Sequence, residues 1–63
     1  MRMETFLSIT EAATRRPGHT FADLPAFVRP AFEATGFNAS FCYEAWIRGF
    51  SAAQVGRLQD VKD

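Results

Sequence analysis

Apolar positions along this chain recur every three or four residues, in runs cut by glycine and proline, which is the pattern of helices rather than strands. In METFLSITEAATRR, Phe6, Ile9 and Ala13 share one helical face, Glu11 and Arg15 form a favourable i,i+4 pair, and Pro17-Gly18 ends the element. Its start has two readings. Ser8-Ile9-Thr10-Glu11 has the form of a capping box with Leu7 and Ala12 as its apolar staple, which would leave residues 3–7 as a short extended N-terminal segment. The apolar face alone instead begins the helix at Glu4.

In TFADLPAFVRPAFEATG, Phe21, Leu24, Val28, Ala31 and Phe32 again recur at helical spacing, and Thr20 with Asp23 forms a second cap signal. Pro25 suits a first turn, whereas Pro30 inside a helix would lose a backbone hydrogen bond and press on the preceding turn. The expectation is a short turn near 21–24, a break near Arg29, and a helix that stops at Gly36. NASFCYEAWIRG follows, with Asn38 as N-cap, Phe37 and Cys42 as staple, and Gly49 as stop. Last comes SAAQVGRLQDV, opened by the box Ser51-x-x-Gln54 with Phe50 and Val55 as staple, weakened by Gly56 by up to ~1 kcal/mol, and expected to fray at its end. These signals predict an all-α fold: a compact bundle of three or four short helices forming a single domain over residues 1–63.

The third helix departs from the others. At about 100° per residue, Phe41, Cys42, Tyr43, Ala45, Trp46, Ile47 and Gly49 cover roughly two-thirds of its circumference, and Ser40, Glu44 and Arg48 share the remaining strip. A surface helix needs a stripe a little over ~100° wide. This helix is therefore either central to the domain or presents apolar surface to something else, with Trp46 placed as a core anchor on its apolar arc.

Composition narrows the chemistry. A chain of 63 residues buries only about 60% of its unfolded surface, so its stability margin is thin. The single cysteine, Cys42, excludes an internal disulfide, and one Cys with one His cannot supply four zinc ligands. Seven Phe, one Trp and one Tyr provide a dense aromatic core instead. Seven basic residues balance seven acidic ones, so no field of one sign steers the chain toward nucleic acid or an anionic membrane. No apolar run approaches the ~20 residues of a membrane span, and MRMETFLSI lacks the apolar core of a signal peptide. The expectation is a complete cytoplasmic protein with a free, buried cysteine and no cofactor or metal.

Two stretches point toward DNA. EAWIRGFSAAQV has the outline of a helix-turn-helix around Gly49-Phe50-Ser51. Separately, LSITEAA resembles the opening helix of excisionase- or MerR-like DNA-binding domains, which would imply a reading helix just beyond it. That resemblance covers residues 7–13 and departs at TRRPGHTFADLP, where Pro17 falls in the turn and Asp23 in the supposed reading helix. In the helix that starts at Ser51, the outward positions Ala52, Ala53, Gly56, Arg57 and Asp60 carry little that reads bases; Gln54 and Arg57 alone could serve. The missing basic face argues against nucleic acid, and capping explains the corner at Gly49 without it.

No catalytic group can be assembled from a lone His19 and a cysteine in apolar surroundings, so no enzyme is expected. Arg15, Arg16 and His19 form a small basic corner able to contact one phosphate or carboxylate. The remaining job is binding another protein, with Tyr43, Glu44, Ile47 and Arg48 on the third helix and Arg29 and Glu33 on the second as candidate contacts, since Tyr, Trp and Arg anchor interfaces. Small inhibitors or adaptors of larger complexes fit this description, phage and mobile-element inhibitors such as anti-CRISPR proteins being the concrete case. A helix-turn-helix regulator and a self-associating homodimer are the alternatives.

Overall fold

A computed structural model describes residues 2–57, so the expected fraying of the C-terminal end and the position of Asp60 lie outside the described residues. The chain forms α1 (Met3–Arg15), a 3₁₀ turn (Phe21–Asp23), α2 (Arg29–Ala34), α3 (Ala39–Ile47) and α4 (Ala52–Gly56), with no strand among the described residues. The all-α bundle expected from the apolar pattern is the fold.

α1 runs unbroken through Ser8, so the Ser8 box is not used and there is no extended segment over residues 3–7. The aromatic contacts explain why. Phe6 lies 5.6 Å from Phe41 and 6.4 Å from Phe37, ring centre to ring centre, and Phe37 stacks on Phe41 at 4.7 Å. Keeping Phe6 in this cluster requires a helix that starts before it, and burying aromatic area outweighs the ~1 kcal/mol of a cap.

Pro30 opens α2 rather than kinking it. It sits within the first turn, where the missing N–H had no partner in any case. The chain before it is held by Arg29. Its Nε donates to Phe21 O at 2.8 Å and its Nη2 to Leu24 O at 2.8 Å, which closes the carbonyl end of the 3₁₀ turn. α3 begins at Asn38, whose Oδ1 accepts from Phe41 N at 2.8 Å.

α3 ends in a Schellman motif. Phe50 N donates to Ala45 O at 3.0 Å and Gly49 N to Trp46 O at 2.9 Å, with Gly49 at φ 91°. Ser51 then starts α4 with a reciprocal box: Gln54 N donates to Ser51 Oγ at 3.2 Å and Ser51 N to Gln54 Oε1 at 2.8 Å.

α3 is the central element. Its most extensive pairing is with α1, and it also meets the 3₁₀ turn and α4. One core joins Ile9 and Ala13 of α1, Leu24, Phe32 of α2, Phe41, Cys42 and Ala45 of α3, and Val55 of α4.

Candidate functional site

Centrality does not hide all of α3. Around its axis Trp46, Tyr43 and Ile47 fall within a sector of about 100°, which runs from the edge of the core to solvent. Ile47 is 51% exposed, while Tyr43 and Trp46 are half-buried. Phe27 stands beside them on the loop between the 3₁₀ turn and α2. It is 81% exposed and meets Trp46 edge-on, ring centres 6.1 Å apart. Trp46 in turn meets the buried Phe32 edge-on at 6.2 Å. The tryptophan is therefore not the core anchor expected from the apolar arc. It links the core, through Phe32, to an aromatic surface that ends at Phe27.

The sequence pattern missed Phe27 because it falls out of phase with the helical series Phe21, Leu24, Val28 and Phe32, between two prolines that prevent a continuous helix. An aromatic residue out of phase in a proline-bounded loop is the signal that could have found it. Loops are where a rigid scaffold presents contact residues.

Glu44 and Arg48 do not form the exposed charged strip expected beside this surface. Glu44 is buried, 2% exposed, and its Oε2 has no hydrogen-bond partner. Arg48 is exposed, and instead of pairing with Glu44 its Nη1 donates to Ser8 Oγ at 2.9 Å across the α1–α3 junction. The α1–α3 pairing is the most extensive in the fold, and Arg48, one turn from Glu44, reaches across it to Ser8 rather than back to the carboxylate. Arg29 is spent on the carbonyls of the 3₁₀ turn, and Glu33 is exposed on α2.

The basic corner is divided. Arg15, paired with Glu11, and Arg16 line an open groove with Arg48. His19 turns away and lines a separate cleft with Thr14 and Ser40. Its ring stacks on Tyr43 with centres 3.9 Å apart, and its Nδ1 lies 3.2 Å from Asp23 Oδ2. Asp23 also accepts from Thr20 N at 3.0 Å, and this bond, with the imidazole second, holds its carboxyl below the ordinary aspartate range. His19 therefore fixes the loop after α1 against Tyr43, and one face of that tyrosine is occupied by the imidazole.

Cys42 is fully buried in the core, and burial pushes its thiol up, with the Thr35 hydroxyl at 3.8 Å acting the other way. Among the described residues no group of three or more His, Cys, Asp or Glu gathers as metal ligands, and no helix is long and apolar enough to cross a membrane. At the helix-turn-helix corner, the Gln54 side-chain oxygen is occupied by the Ser51 cap, leaving Arg57, just past α4, as the exposed base-reading type among the described residues there. Set against protein families, curated proteins and solved structures, the chain matches none of them.

Proposed function

We propose that this chain is a small non-enzymatic protein-binding module, an inhibitor or adaptor of a larger protein complex, and that it docks through the face formed by Phe27, Trp46 and Ile47. The observation that carries this reading is Phe27, 81% exposed yet held edge-on against Trp46. Scattered exposed apolar residues are ordinary on protein surfaces. A large aromatic ring oriented by a second one, beside an exposed isoleucine, is a pre-ordered anchor of the kind that dominates interface energetics. Covering a phenylalanine side chain releases about 1.5–3 kcal/mol, and little conformational entropy is lost because the ring is already positioned. A nuclease complex blocked by a mobile-element protein of the anti-CRISPR kind is the concrete case to test first.

The test is affinity purification from the native host with the wild type, Phe27→Ala and Ile47→Ala in parallel, each checked by thermal melting. A partner retained by the wild type and lost by both variants at unchanged melting temperature supports the reading. Salt-sensitive retention on DNA by all three proteins would favour the regulator. Sedimentation of the wild type as a dimer that Phe27→Ala dissociates would favour the homodimer.

A further inference from the structure

A groove lies on the opposite side of α3 from the aromatic face. It is an open cleft of about 540 Å³ between α1 and the C-terminal end of α3, and its walls include Glu4, Leu7, Ala12, Arg16 and Arg48. Its charges are unevenly compensated. Arg15 is neutralised by Glu11. Arg48 is oriented by Ser8, a neutral hydroxyl that leaves its charge free. The Arg16 guanidinium has no hydrogen-bond or ion-pair partner among the described residues. Leu7 is 57% exposed on the same wall.

The spacing along α1 is regular. Arg48 is anchored at Ser8, and Arg16 lies two turns beyond, about 12 Å along the axis at 1.5 Å per residue. Ala12, midway between these two levels, also lines the groove, with a small side chain. Glu4 lies about 12 Å before Ala12, and Leu7 stands between the two levels. An extended peptide advances about 3.3 Å per residue and points alternate side chains the same way. About four residues therefore span from Glu4 to Ala12, with every second side chain facing the groove.

We propose that this groove binds an extended segment of a partner protein carrying, on alternate residues, a cation, an apolar side chain and a carboxylate. The cation meets Glu4, the apolar side chain covers Leu7, and the carboxylate, at the level of Ala12, is met by the long side chains of Arg48 and Arg16 reaching in from either side. Planar guanidinium groups suit a planar carboxylate. A polyanion fits poorly, because Glu4 and Glu11 share the wall with the arginines and the chain has no net charge to attract one. The proposal is independent of the aromatic face: the two surfaces share no residue, and either can fail alone.

The experiment is an amide NMR titration of the whole ¹⁵N-labelled chain with the capped peptide acetyl-Lys-Ala-Leu-Ala-Glu-amide. The expected result is saturable shifts at Leu7, Ser8, Ala12, Arg16 and Arg48, with Phe27 unmoved. Replacing the peptide's glutamate by glutamine should weaken binding about tenfold, as should Arg16→Gln in the protein, and added salt should weaken it further. The Arg16 side chain makes no bond to the described fold, and its backbone bond to Ala12 O is kept in the variant, so Arg16→Gln should melt like the wild type, which separates lost binding from lost folding. The proposal is overturned by the absence of saturable shifts, by equal binding of the glutamine peptide, or by shifts centred on Phe27. Inorganic phosphate producing the same shifts at the same concentrations would also overturn it, by reducing the groove to a general anion contact.

Discussion

Replacing Glu44 with methionine should stabilise the protein. The side chain is 2% exposed in the central helix, and Oε2 has no partner. A buried polar atom left unsatisfied costs about 1–3 kcal/mol, more if charged. Methionine keeps the unbranched shape and the helix propensity of glutamate, fills nearly the same volume, and asks for no hydrogen bond. Exchanges of buried charged groups for apolar residues of similar size have stabilised other proteins by about 1–4 kcal/mol. Taking about 2 kcal/mol, and 4–8 °C per kcal/mol for a domain near this size, the midpoint should rise by roughly 8–16 °C. Glu44→Gln removes the charge but not the need for partners, so its rise should be smaller. Glu44→Ala is the wrong variant, because the cavity it opens has the opposite sign.

Thermal melting followed by circular dichroism decides the matter. A midpoint for Glu44→Met at or below the wild-type value would refute the reasoning and mean that the carboxylate finds a partner in solution. Arg48 is the first suspect, since it lies one turn away on the same helix and could exchange Ser8 for Glu44. A double-mutant cycle between Glu44→Met and Arg48→Met would then return a coupling energy well above the ~0.5 kcal/mol of an exposed helical pair.

Two further predictions test the division between core and surface. Phe32→Ala should cost about 3–5 kcal/mol and abolish cooperative melting, whereas Trp46→Ala, at a half-buried position, should cost clearly less; equal losses would place the tryptophan in the core. Cys42 should resist a thiol-reactive probe such as iodoacetamide in the native protein at neutral pH and react once denatured, because burial both excludes the reagent and pushes the thiol up; rapid native labelling would contradict the packing.

The helix ends were legible because they depend on neighbours in sequence. Asn38, Gly36, Gly49 and the Ser51–Gln54 box each use a backbone group within a few residues, so spacing alone identifies them. Ser8–Glu11 shows the limit of local reading. The box is as well formed in sequence as Ser51–Gln54, but Phe6 has aromatic partners some thirty residues away, and those keep the helix running through the box.

The candidate site failed to emerge from sequence for the same reason, in two opposite directions. A helical wheel assigns Glu44 to the polar strip because it knows the angle of a side chain but not the width of the helix laid against it. In the folded chain that strip is split: Glu44 is buried and Arg48 stays exposed. The wheel assigns nothing to Phe27, because the residue belongs to no helix, and yet it is the most exposed large apolar side chain described. Periodicity finds faces on regular elements. It does not say which face a neighbour will cover, nor which loop residue will be left standing on a scaffold. Burial of a carboxyl oxygen without a hydrogen-bond partner and exposure of an aromatic ring both cost stability that a domain this small can hardly spare. Of the two, the exposed ring has a ready purpose, since an association that covers Phe27 returns what its exposure costs. Glu44, buried inside the fold, cannot be relieved by a partner in that way, so its replacement tests the fold and the replacement of Phe27 tests the proposed function.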